Sequence, residues 1–186
     1  MIIEKYGIRL RSLNSYDLEM VRTARNSDYI RNRMMYKNII SPEQQLNWYR
    51  SLDPARDVYM IIEYNGIPRG IINVKNIDYK NDASESGLFF WDAEVLQSHV
   101  PVVTSWLAAE AGYLLLGGKQ TLVHVLKNNV AAIEFNSDQG YSILQEAEDV
   151  VLMRQTKKSF SGKTLSKRQS YQQSIEKYEE KLQNID

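Results

Sequence analysis

The run Ser84-Glu85-Ser86-Gly87-Leu88-Phe89-Phe90-Trp91 decides how this chain is read. It is a strand ending in four large apolar residues, which predicts burial on both faces or a bend at a bulge. Upstream lie two more strands, Val58 to Tyr64 and Ile67 to Ile77, joined by the hairpin signal Asn65-Gly66. Pro68 suits the first residues of its strand, where a missing ladder donor is tolerated. Downstream, Val100 to Leu116 is a mostly apolar helix between Pro101 and Gly117-Gly118. Lys119 to Leu126 is a strand, Asn129 to Asp138 a short helix, and Tyr141 to Leu144 and Val150 to Gln155 are two final strands. Near the amino terminus, Gly7 to Leu13 reads as a strand. A helix capped by Asn14 or Ser15 follows, and a second helix opens on Ser41-Pro42-Glu43-Gln44, a capping box with proline at the first helical position.

Composition narrows the chemistry. The chain has 186 residues, enough for one domain with an appendage, and its 43% hydrophobic and 25% charged content suits a globular protein. Lys+Arg and Asp+Glu are both 23, so the net charge is zero and nothing global draws the chain to nucleic acid or to a lipid surface. With no cysteine, disulfides, thiolate metal sites and cysteine nucleophiles are excluded. His99 and His124 are the only histidines, and no metal motif accompanies them. Met1 to Lys5 lacks a signal-peptide core, and Glu110 interrupts the one long apolar run, so the expected compartment is the cytoplasm and no membrane contact is expected.

Three local features together resemble the GNAT superfamily of acyl-coenzyme A N-acyltransferases, over about Gly7 to Lys158. Glu85-Ser86-Gly87-Leu88 is similar to a Glu-x-Gly-aromatic/aliphatic element. Asn129, Ala132, Ile133, Gly140 and Tyr141 match an Asn-x-x-Ala-Ile segment that ends in Gly-Phe. Arg25-Asn26 with Ser41 to Trp48 resembles the acceptor-side helices of enzymes that acetylate nucleotide-linked amino sugars. The branch it looks most like holds ribosomal-protein and amino-sugar N-acetyltransferases.

The resemblance implies an α/β (α+β) fold. A mixed, mostly antiparallel central sheet carries helices on both faces, and a C-terminal helix is added. It also implies direct transfer of an acetyl group from acetyl-coenzyme A to the primary amine of a small molecule, a nucleotide-linked amino sugar in preference to a protein N-terminus. The splayed strand at Phe89, Phe90 and Trp91 would hold the pantetheine arm, with Asn129 near the acyl group and Gln97, Ser98 and His99 at the pyrophosphate. Arg25, Asn26, Tyr36 and Trp48 would meet the acceptor. Glu85 is the first candidate to relay the amine proton and His99 the second, while His124, between Leu122 and Leu126, reads as a strand histidine. Asn136 stands where many relatives carry an acidic tyrosine, leaving Tyr113 and Tyr141 as substitutes for protonating the thiolate.

The phosphate turn departs from the family. Relatives place glycines where Val100 and Val102 stand, and Pro101 has no N–H to donate, which implies a weakened grip on coenzyme A. A GNAT-fold domain that binds a ligand or partner without transferring an acyl group is therefore the alternative. Beyond residue 158 the composition shifts: Ser159-Phe160-Ser161-Gly162 reads as a linker, and Leu165 to Ile185 as an amphipathic helix striped by Tyr171, Ile175, Tyr178 and Leu182. That stripe either packs on the domain or forms a homodimer contact.

Overall fold

The computed structural model describes residues 1–115 and 117–183. Eight strands form one sheet in the order β1-β2-β3-β4-β5-β6-β8-β7. They are β1 (Ile2–Lys5), β2 (Ile8–Ser12), β3 (Val58–Tyr64), β4 (Ile67–Asp78), β5 (Ala83–Phe90), β6 (Gln120–Leu126), β7 (Ser142–Glu146) and β8 (Val150–Thr156). Every pair is antiparallel except β5 with β6. The helices are α1 (Leu18–Asn26), α2 (Asp28–Arg31), α3 (Pro42–Ser51), α4 (Ala93–Leu96), α5 (Val100–Leu114), α6 (Val130–Asp138) and α7 (Lys157–Gln183).

Local chemistry explains most boundaries. Ser41 Oγ accepts from Gln44 N at 3.1 Å while Gln44 Oε1 accepts from Ser41 N at 2.8 Å, the reciprocal box that starts α3. Asn65 and Gly66 both have positive φ, 53° and 72°, and turn β3 into β4. A bulge at Ile62/Glu63 lies opposite the segment containing Pro68. The amino-terminal hairpin was not anticipated: β1 folds back on β2 through Tyr6 and Gly7, also at positive φ. The sequence there carries no turn dipeptide as strong as Asn-Gly.

Side-chain alternation sorts the two faces. Ile61 and Ile71 pack with Leu13, Leu18 and Val21 under α1 and α3. Ile8, Leu10, Met60, Ile62, Ile72 and Phe90 pack with Val100, Val103, Trp106 and Leu107 of α5. Val123, Val125, Val151 and Met153 extend this second face under Ala132 and Ile133 of α6.

Two expectations are corrected here. Ser159 to Gly162 is not a linker, because α7 begins at Lys157, directly after β8, and includes it. Phe160 is buried against Tyr113, and Thr164 is fully buried, so the first turns of α7 belong to the core. Further along, Tyr171 packs edge-on to Tyr6 and Trp106, and Ile175 joins the same cluster. The side chains of Tyr178 and Leu182 lie outside the described ones, and so does Leu116, the expected end of α5. Strand β5, secondly, is neither doubly buried nor bulged along its aromatic end: its residues from Ala83 to Phe89 are half-buried and in regular register with β4 from Glu85 to Phe90. The reason is the missing neighbour on its other side.

Candidate functional site

Strand β5 pairs with β6 over only three residues, Ala83 to Glu85 with Gln120 to Leu122. Past Glu85 and Leu122 the two strands have no partner on the sides that face each other. A cavity of about 960 Å³ opens at this gap, with walls on both faces of the sheet. On the α5 face it is lined by Leu88, Phe90, Ser105, Ala109, Phe135 and Tyr141. On the α1/α3 face it is lined by Arg25, Tyr36, Trp48, Tyr59, Asn73 and His124. Backbone groups of β5 not used by β4 are therefore available along one side of the cleft.

The predicted residues divide. Phe89, Phe90, Asn129 and Asn136 line the cleft, as do Arg25, Tyr36 and Trp48. Asn129 also caps α6, accepting from Ala132 N at 3.3 Å, and Asn136 Nδ2 donates to Ala132 O at 2.8 Å. Trp91 does not line it: its backbone N–H bonds to Arg69 O at 3.0 Å and its indole to Pro68 O at 3.1 Å, turning it onto β4. Asn26 is a brace and not a substrate contact, because its amide bonds both the N–H and the carbonyl of Ile40, each at 2.9 Å.

Gln97, Ser98 and His99 are also outside the cleft lining. Ser98 Oγ donates to Val95 O at 2.7 Å and accepts from Val100 N at 3.1 Å, so it consumes an amide at the start of α5. His99 is exposed and its ring sits against Tyr64 and Tyr171, away from the β5/β6 gap, which removes it as a candidate base. Asp92, just upstream of α5, is paired with Arg69 and caps α4.

Glu85 stands beside the cleft, between the lining residues Ser84 and Ser86. Its carboxylate accepts from Asn76 Nδ2 at 3.0 Å and lies 3.2 Å from Lys75 Nζ and 3.7 Å from His124 Nδ1. Partial burial opposes its ionisation, but these hydrogen bonds and the lysine outweigh that and hold it below the usual carboxylate range. Burial pushes the Tyr113 phenol up to about 12 and the Tyr141 phenol up as well. Tyr113 donates to Gln155 Oε1 at 2.9 Å, and Gln155 Nε2 donates to Gln139 O at 2.6 Å. Both tyrosines line the cleft, and burial disfavours their ionised forms.

The α1/α3 wall of the cleft is cationic. Arg25 Nη2 donates to Tyr36 O at 2.7 Å, while Nη1 is buried with no hydrogen-bond partner among the described residues. Burial pulls the Arg25 pKa below its ordinary value. Arg33 stacks on the Tyr29 ring at 4.0 Å, and both line the same wall. Sequence reasoning missed Tyr59, Asn73 and Lys75 as lining residues, and read His124 as a strand histidine. The strand residues among them share a face only through cross-strand register, for which the sequence carries no signal. Among the described residues no group of three or more His, Asp or Glu could hold a metal ion, and no helix is long and apolar enough to cross a membrane.

Comparison with known proteins places this architecture. No family model matches the chain, and no curated protein sequence matches it. Solved structures do. FdhC, a nucleotide-linked sugar GNAT, is 19% identical over 90% of this chain and 97% of its own, with a TM-score of 0.77. Spermidine N-acetyltransferase from Vibrio cholerae, solved with CoA and spermine, is 15% identical over 84% of this chain and 99% of its own, at 0.73. The N-acetyltransferase PseH from Campylobacter jejuni is 18% identical over 81% and 99%, at 0.62.

Proposed function

Starting from the fold, which is that of the GNAT superfamily, we propose that this protein is an acetyl-coenzyme A-dependent N-acetyltransferase acting on the primary amine of a small, anionic acceptor, a nucleotide-linked amino sugar. The observation that carries this reading is the cavity at the β5/β6 gap, which joins a free strand edge on one side to a cationic wall on the other. Coenzyme A, when bound, supplies the acyl group as a thioester. The residues present fit its arm: the free edge of β5 around Phe89 and Phe90 offers backbone groups to the pantetheine amides and to the thioester carbonyl. Asn129, which caps α6, and Asn136 within it stand across the gap. The fit is poorer at the phosphates, where Ser98 and Pro101 leave α5 fewer free amides.

The acceptor class follows from charge. A buried guanidinium nitrogen without a partner is costly, and an anion that completes its hydrogen bonds recovers the cost. Arg25 with Arg33 supports a phosphate, and Tyr36 and Trp48 offer flat surfaces for a base or sugar. A polyamine would need free carboxylates. The cleft carboxylates are engaged: Asp82 with Lys119, and Asp78 with the Asn81 side chain and the Lys80 amide. A second reading, ligand binding without acyl transfer, draws on the depleted start of α5. Isothermal titration with acetyl-coenzyme A, followed by an acetylation assay with nucleotide-linked amino sugars and with spermidine, separates these. Turnover of the anionic acceptor and not of spermidine is expected. Spermidine turnover alone would refute the acceptor class, and cofactor binding without any turnover would favour the second reading.

A further inference from the structure

His124 has no role in the reading so far, yet it occupies the cleft where β6 leaves β5. Leu122 is the last β6 residue in register with β5, opposite Glu85, and His124 follows two residues later on the same face. Its ring lines the cavity. Nδ1 lies 3.7 Å from Glu85 Oε2, and Glu85 is itself fixed by Asn76 at 3.0 Å and Lys75 at 3.2 Å. A carboxylate facing Nδ1 favours the tautomer that carries its proton there, so Nε2, on the other edge of the ring, keeps its lone pair. Glu85 is poorly suited to the proton transfer itself, since its oxygens are already engaged and its ionised form is favoured.

We propose that His124 is the general base of the acyl transfer and that Glu85 is its positioning residue. This rests on the acyltransferase reading above. The acceptor enters as an ammonium ion and gives one proton to His124 Nε2, which later releases it to solvent. The freed lone pair on nitrogen forms the N–C bond to the thioester carbonyl carbon. The C–S bond breaks and its electron pair leaves with sulfur, which takes up the second proton lost by nitrogen. The products are an amide, a thiol and one proton in solution, and no other reactant is required.

The chain contains two histidines, so ¹⁵N-histidine spectra are assignable with a single His99→Gln variant. In the wild type, His124 is expected as the Nδ1–H tautomer, and in Glu85→Gln that preference is lost. His124→Gln should lower kcat by about 10²-fold or more, with the acceptor KM and coenzyme A affinity within twofold, and added imidazole should restore part of the rate to His124→Gly. Glu85→Gln should lower kcat by about tenfold, a smaller loss than that of the base itself. A wild-type His124 protonated on Nε2, or a folded His124→Gln enzyme with wild-type kcat, would overturn the proposal. A wild type that acetylates no amine would instead remove the reading on which it rests, while the tautomer measurement would still decide whether Glu85 orients His124.

Discussion

Two stretches only a few residues apart serve the two ends of one proposed cofactor track, and they have fared differently. On that proposal the β5 edge from Gly87 to Phe90 acts through its backbone, so any side chains that keep the strand in place preserve it. The start of α5 depends on particular residue types, because a helix end grips phosphate only where amides are free and approach is unobstructed. There Pro101 removes one donor, and Ser98 Oγ occupies the Val100 amide at 3.1 Å. Val100 is fully buried and points into the core, so its side chain is held by packing and not by the phosphate turn. A strand-edge backbone site tolerates sequence change; a helix-end site that needs free amides and an unobstructed approach does not.

The largest effect should come from breaking the strand edge. A Cβ on Gly70 would lie 2.6 Å from Phe89 O and 2.9 Å from Phe90 Cδ1. The carbonyl is backbone and must move, so Gly70→Ala should cost ~1–3 kcal/mol of stability by overpacking. Urea denaturation should show that loss, and calorimetry should show coenzyme A affinity falling with it; undiminished binding would mean that the edge is not the cofactor's track.

Mending the helix start should act in the opposite direction. Pro101→Ala returns an N–H to the first turn of α5, and one charge-assisted hydrogen bond should tighten coenzyme A by about tenfold. Affinity equal to wild type would show that the phosphates are held elsewhere.

The third test reaches the helix start through α7. Glu110, half-buried on α5, accepts from Lys5 Nζ at 2.8 Å and Tyr6 Oη at 3.0 Å and pairs with Arg168 of α7. Burial opposes its charge, but these hydrogen bonds prevail and depress its pKa in the folded protein. Its contribution to stability is therefore complete above the unfolded carboxylate value of about 4.3 and disappears as pH falls through the lower folded value. Glu110→Gln should cost about 1 kcal/mol at neutral pH and nothing in strong acid. Tyr171 of α7 contacts His99, so loosened docking should weaken binding at the helix start and leave the β5 edge unaffected. Equal stability of variant and wild type at every pH would remove Glu110 as the clamp.

Ser98→Ala is the smallest change. It frees the Val100 amide but also removes a hydrogen bond worth about 1 kcal/mol at the start of α5, so coenzyme A should tighten only about two- to fivefold. Weaker binding in this variant would mean that the Ser98 hydroxyl itself meets a phosphate.

The element order was legible because it is written locally. Ser41 to Gln44, Asn65-Gly66 and the apolar run after Pro101 each act over a few residues, through capping, positive φ or burial of one helix. The GNAT fold was recognisable from the same order with Glu85, Gly87, Asn129 and Gly140. The site was legible only in part. Phe89, Phe90, Asn129, Asn136, Arg25, Tyr36 and Trp48 line the cleft, but Asn26, Trp91, Gln97, Ser98 and His99 are spent on structural contacts or face elsewhere. Nothing local marks which partner an asparagine or serine finds when several are in reach.

The sequence by itself determined most of the strands and longer helices, β1 excepted, their order and the absence of thiol chemistry, since these follow from residue type and near neighbours. Tertiary structure decided which histidine meets the cleft and what becomes of the tail. Register across β5 and β6 sets Glu85 beside His124, 39 residues away in the chain, and no periodicity encodes that pairing. Ser159 to Gly162 has the composition of a linker, yet Phe160 and Thr164 are drawn into helix because burial against Tyr113 outweighs weak local propensity.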